Sequence, residues 1–299
     1  MQNLSVHMIG AIAALGSAFC WALSAILFRQ VGDSLSAAAM NWWKGVIALA
    51  LLSMILLPDL PGFQFEASYY RLAASGLLGI LVGDTLYFMA LIRLGPRITL
   101  LLGTLIPVVT ACVAVVLFDD RLTWSGWAGL LLTLSGVGWV LWTSSQGGTS
   151  RKQWKTGLFF GLGFILANAL AIILTKQGVE SFSAEEATWV RTLWAVMALG
   201  LYGMVGARFG GWVVPLKSRL LRGRLIAAAL IGAFLGTWLS VLALKFTFAS
   251  VAAALNSTSP IFVIPLMLLF YREKPAAQAV FGTLIAVTGV AVYFISVSG

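Results

Sequence analysis

Asp84 is the one carboxylate that lies deep within an apolar run of this sequence. Ionisable groups are costly in apolar surroundings and tend to mark pathways for ions or solutes. Lys44 stands eight residues into an earlier run, and Asp84 nine residues before Arg93 in the next. If both runs are helices that end on the same side, a rise of about 1.5 Å per residue puts the two charges at similar depth. Three chemistries fit such a pair: a structural ion pair between neighbouring helices, proton coupling through Asp84, or contact between Asp84 and the amino group of a solute. Arg191 stands 147 positions after Lys44, whereas the position 153 after Asp84 is Thr237, so Arg191 has no matching acid. Its long side chain is expected to reach outward, towards Glu185 and Glu186.

The same offsets match other polar and aromatic residues inside apolar runs. Trp21 matches Asn168, Tyr87 matches Ser240, Gly103 matches Asn256 and Thr104 matches Ser257, with Trp238 beside Thr237. A pocket of Trp21, Asp84, Tyr87, Thr104, Asn168, Trp238, Asn256 and Ser257 would be mostly apolar with a few polar groups, which suits a small amphipathic solute. Pro107 and Pro260, 153 positions apart, each fall within an apolar run. A proline there removes a backbone hydrogen bond, so both are expected to kink a helix and expose backbone polar groups to a cavity. Trp42, Trp43, Trp124, Trp154 and Trp212 stand near the ends of runs and read as an interfacial aromatic belt. The Gly79/Gly83, Gly157/Gly161 and Gly232/Gly236 pairs read as close helix packing.

Catalysis is not expected. His7 is the single histidine and lies near one end, so no histidine-based metal cluster or nucleophile–base pair can be built, and one deep Asp makes no aspartyl dyad. There is no Gly-x-x-x-x-Gly-Lys-Ser/Thr motif for ATP. Neither a metal nor another cofactor is called for. Cys20 and Cys112 lie in apolar runs and imply no disulfide framework.

The elements that must position these residues are membrane helices. The chain has 299 residues, 60% hydrophobic and 10% charged, against about 25% charged in an ordinary globular domain. Apolar runs of roughly 20 residues, the length needed to cross a bilayer, recur throughout. They predict ten spans, near 8–28, 36–57, 69–92, 97–118, 124–143, 156–175, 185–206, 225–245, 249–270 and 277–297. Nothing before Arg29 is Lys or Arg, so the first run lacks the basic region of a cleaved signal peptide and reads as a retained span.

An internal repeat organises the spans. Gly103-Thr104-Leu105-Ile106-Pro107 leads to Asp120-Arg121-Leu122-Thr123, and Asn256-Ser257-Thr258-Ser259-Pro260 leads to Glu273-Lys274-Pro275. The offset of 153 also carries Gly129 onto Gly282 and Gly136 onto Gly289. The predicted fold is all-α and polytopic, with repeats at 8–143 and 156–297 joined by a Gly/Ser-rich linker at 144–155. Five spans per repeat is odd, so the second copy must start on the opposite side of the membrane. Inverted repeats of this kind recur in secondary transporters, with the site where the halves meet.

The net charge of +9 is read as topology and not as a nucleic-acid footprint, because the basic residues sit in short loops. Loops after odd-numbered spans hold Arg29, Arg93, Arg97, Arg151, Lys152, Lys155 and the cluster Arg208–Arg224, among others. The other side holds Arg71, Arg121, Lys176 and Lys245. Both termini are therefore expected on the periplasmic side of the inner (plasma) membrane.

The proline-centred spans, the Asp120-Arg121-Leu122-Thr123 and Glu273-Lys274-Pro275 turns and the Gly129…Gly136 and Gly282…Gly289 helices resemble the EamA repeat of the drug/metabolite transporter superfamily. The first turn departs from the usual Glu-Arg by a conservative Asp. The resemblance implies ten helices around a central cavity, lined mainly by spans 1, 3, 4, 6, 8 and 9, with spans 5 and 10 peripheral. Size and tryptophan content are similar to those of the aromatic and neutral amino-acid exporters of that superfamily. The function implied is secondary export of such amino acids by alternating access, by a monomer or weak oligomer whose partners are lipid and solute. The alternatives are exchange of sugar phosphates or nucleotide sugars, which would call for more deep cations than Lys44 and Arg191, or a passive channel.

Overall fold

In hydrocarbon every backbone N–H and C=O must be satisfied within the protein, and helices do this segment by segment. The computed structural model describes residues 2–56, 67–118, 123–144, 150–178, 182–246, 255–272 and 276–298, and these are helical nearly throughout. The turns at Asp120-Arg121 and Glu273-Lys274-Pro275, residues 145–149 of the linker, and the beginning of the ninth expected span lie outside the described residues.

Eight helices among the described residues are long and apolar enough to cross a membrane. They are Met8–Val31, Ala37–Leu56, Ala67–Gly103, Trp124–Ser144, Arg151–Thr175, Glu185–Val205, Arg219–Ser240 and Ala277–Ile295. Ser259–Tyr271 is apolar but shorter. The 37-residue stretch Ala67–Gly103 is too long for one crossing of about 20 residues. Gly95 divides it, with φ 79° and ψ 169°, a conformation open to glycine and closed to residues with a Cβ. A second break at Thr104 precedes the helix Leu105–Phe118.

Two segments wind more loosely than an α-helix. Gly76–Asp84 and Ala229–Gly236 are π-helical, and an offset of 153 carries the start of the first onto the start of the second. Carbonyls in or beside these segments are taken up by other helices. The Asn41 Nδ2 group donates to Ile80 O at 2.6 Å and to Thr85 Oγ1 at 3.0 Å. Ser17 Oγ donates to Gly236 O at 2.7 Å, and Ser24 Oγ to Ala228 O at 2.8 Å. Asn41, Ser17 and Ser24 are all buried, where an unpaired polar group would be costly.

Glycines set the closest helix contacts, and the contacts come in reciprocal pairs. A methyl group on Gly129 would fall 2.8 Å from Gly289 O, and one on Gly289 would fall 2.7 Å from Gly129 O. Gly136 and Gly282 stand in the same relation, at 2.6 and 3.1 Å. Because Gly129 matches Gly282 and Gly136 matches Gly289 in the repeat, each glycine touches the counterpart of the other.

The tryptophans part company. Trp124 is 92% exposed, as a belt residue should be. Trp212 is buried and packs with Trp42 and Phe209, while Trp43 Nε1 donates to Trp212 O at 3.2 Å. The segment Phe209–Val213 thus packs against the bundle through Trp212 and Phe209.

Candidate functional site

The helices enclose a cavity of about 400 Å³, within the range of small-molecule sites. Trp21 and Ser24 enter from Gln2–Val31, Lys44 from Ala37–Leu56, Asp84 and Tyr87 from the first π-segment and the turn after it, and Thr104 from the break before Leu105. Phe164 and Asn168 enter from Arg151–Gly178, Asn256 and Ser257 from the residues that lead into Ser259–Tyr271, and Pro260 from its first turn. Ala37–Leu56, which carries Lys44, is a helix the resemblance does not name among the cavity walls.

The π-segments bring the matched residues in. A methyl group on Gly83 would fall 2.4 Å from Asn168 Nδ2, and one on Gly236 would fall 2.9 Å from Trp21 Nε1. Gly79 faces Ala171 and Gly232 faces Ser24 in the same way. Trp21 matches Asn168, and Gly83 matches Gly236, so these contacts are reciprocal too. The glycine pairs read from the sequence as packing alone therefore position the candidate site.

Lys44 Nζ donates to Asp84 Oδ2 in an ion pair, as depth along the two helices suggested. The ammonium lies 5.5 Å from the centre of the Phe88 ring. Tyr87 packs against Phe88 and Phe164, with ring centres 5.3 and 5.2 Å apart. Asn168 Nδ2 donates to Phe164 O at 3.1 Å, and Asn256 Nδ2 to Ser240 Oγ at 2.7 Å. Thr104 Oγ1 donates to Leu101 O at 2.7 Å and closes the break in its helix.

Three expectations change. Trp238 does not line the cavity; it is half exposed beside a small crevice with Leu52, Ile55 and Glu185. Pro107 and Pro260 do not bend helices in mid-course. Pro107 is the third residue of Leu105–Phe118, and Pro260 stands in the first turn of Ser259–Tyr271. Proline is tolerated there because the first turn's N–H groups have no helical acceptor. Arg191 does not reach Glu185 or Glu186, since no ion pair joins them among the described residues. Glu186 is held instead in a capping box, accepting from Ser183 N at 2.7 Å while its own N–H donates to Ser183 Oγ. The space left by Gly76 and Gly79 takes Arg191 inside.

Phe28, Phe88 and Phe164 line the cavity and were not singled out from the sequence. Spacing was the available signal: Phe28 lies seven residues after Trp21, and Phe164 four before Asn168, on the same helix faces.

Apolar helices around a cavity with a few convergent polar groups define a multi-pass membrane protein with room for a small solute. Sequence comparison gives it a family. The model of the EamA-like transporter family matches residues 8–142 and again residues 155–295, and the chain belongs to that family. An uncharacterized transporter of Archaeoglobus fulgidus is 24% identical over 286 residues, covering 95% of this chain and 97% of that protein. A crystal structure superposes with a TM-score of 0.65 at 15% identity, over 97% of this chain and 98% of the other, a likeness of fold.

Proposed function

We propose that the protein is a secondary transporter of ten helices, built as two inverted five-helix repeats at 8–143 and 156–297, that exports aromatic and other neutral amino acids by alternating access. It lies in the plasma membrane with both termini outside. The observation that carries the reading is the cavity shared by matched residues of the two repeats, Trp21 with Asn168 and Thr104 with Ser257, walled by Phe28, Tyr87, Phe88 and Phe164. Aromatic walls favour an apolar side chain, and the few polar groups suit the zwitterionic end of an amino acid. The reciprocal glycine contacts support the two-fold relation that alternating access between inverted repeats requires. Purified protein in liposomes, tested with labelled L-phenylalanine and with glucose 6-phosphate, checks the reading. Saturable phenylalanine flux without sugar-phosphate flux is expected. Sugar-phosphate exchange without amino-acid flux would transfer the protein to the phosphorylated-sugar exchangers of the superfamily.

A further inference from the structure

Arg191 lies against the first π-segment. A methyl group on Gly76 would fall 2.2 Å from its carbonyl oxygen, and one on Gly79 would fall 3.5 Å from Nη2 and 3.9 Å from Asn168 Oδ1. The guanidinium thus stands behind the cavity wall, close to a residue that lines it. Its Nε is buried without a hydrogen-bond partner, and no carboxylate pairs with it among the described residues.

The described acids account for the interior charge. Asp33 pairs with Arg29 at a helix end, and Glu185 and Glu186 occupy the first turn of Ala184–Val205. That leaves Asp84, which is already paired with Lys44 and whose charge also acts on Arg191. One carboxylate between two cations leaves one positive charge uncompensated. An unpaired buried charge is costly until something neutralises it. At another point of the wall, Asn256 Oδ1 is buried without a donor, while its Nδ2 is committed to Ser240. A buried acceptor of this kind calls for a hydrogen-bond donor.

We infer that the cavity is charge-selective: it takes solutes that present one carboxylate, Arg191 is the positioning residue whose field selects them, and Asn256 Oδ1 receives a donor such as the solute's amino group. The inference rests on the transporter reading and names the solute class within it. A simple monocarboxylate neutralises the excess charge, and a zwitterionic amino acid offsets it locally by turning its carboxylate towards Arg191 and its ammonium towards Asn256 Oδ1. An amine without an acid would add a second positive charge and is rejected.

The test uses three probes with the same ring: L-phenylalanine, 3-phenylpropionate and 2-phenylethylamine. Their dissociation constants are measured calorimetrically on the full-length protein in detergent. The wild type is expected to bind the two carboxylates roughly tenfold or more tighter than the amine, the scale of one charge-assisted contact. Arg191→Met should bring that ratio close to one, and Arg191→Lys should restore most of it, which a purely structural role would not do. Asn256→Asp, a variant that leaves the packing around Arg191 intact, should move the preference towards the amine. An unchanged ratio in Arg191→Met, a wild type that binds the amine best, or binding of none of the three would overturn the inference. Tight 3-phenylpropionate binding without L-phenylalanine flux in liposomes would instead sink the amino-acid reading and leave the charge selection standing.

Discussion

Asn168 sits so close to Gly83 that a methyl group on the glycine would lie 2.4 Å from the amide nitrogen. Gly236 does the same for Trp21, the residue that matches Asn168 in the other repeat. Two bare stretches of π-helix thus each receive a cavity residue pressed in from another helix. Alanine at Gly83 should push Asn168 out of place and cost about 1–3 kcal/mol, as overpacking of a close contact does. Asn168→Ser in the same protein removes the obstructing amide and should recover part of the loss. Thermal unfolding of the two single variants and the double in detergent measures the coupling, and strictly additive effects would contradict the contact.

Lys44 and Asp84 form the ion pair inside the bundle. Removing one partner of a fully buried pair costs about 3–5 kcal/mol, because the other charge is left uncompensated, and this part-buried pair at the cavity wall should lose less than that. Asp84→Asn and Lys44→Met should therefore each lower stability in detergent, and replacing Lys44 by Met together with Asp84 by Leu should restore much of it. If Asp84→Asn is instead stable, exchanges solute normally and loses only proton-driven accumulation, the carboxylate is a coupling group.

Asn41 donates a side-chain hydrogen bond to Ile80 O within the first π-segment. Asn41→Leu keeps the volume and removes the donor, so it should destabilise the protein by about 1–3 kcal/mol. Hydrogen–deuterium exchange should show the loss as faster exchange confined to Gly76–Asp84, and uniform acceleration along the chain would argue against this local role.

The orientation can be read with a reporter. A fusion partner active only in the cytoplasm, placed after Gly299, should be silent. Strong activity there would reverse the sidedness inferred from the basic loops.

How far the sequence could be read depended on whether a residue's partner lay within its own repeat pattern. The Lys44–Asp84 pair was legible because helical rise converts position into depth. The cavity residues were legible because the two copies mark each other. The π-segments were not: Gly76–Asp84 reads as an ordinary apolar helix, and its winding goes with a donor at Asn41, in another helix. Arg191 was misread for a related reason. Ser183-Ala184-Glu185-Glu186 carries the capping-box pattern, which commits Glu186 to the helix end and withdraws the partner Arg191 was expected to find. Trp212 looked interfacial because it stands near the end of an apolar run, yet it is buried against Trp42, Trp43 and Phe209.

The loosely wound segments also have a torsional meaning. In an α-helix each residue turns the chain by about 100°, so changing one i→i+5 closure to i→i+4 rotates everything beyond it by a comparable step. Asp84 and Tyr87 stand at and just after the end of the first such segment, and Thr237 follows the second. Around both segments, carbonyls accept from Asn41, Ser17 and Ser24 on other helices, and these bonds can be exchanged without breaking a covalent link or unfolding a helix. Rewinding one segment while the other stays slack would swing one wall of the chamber past its fixed neighbours, a twist along the axis in place of a hinge.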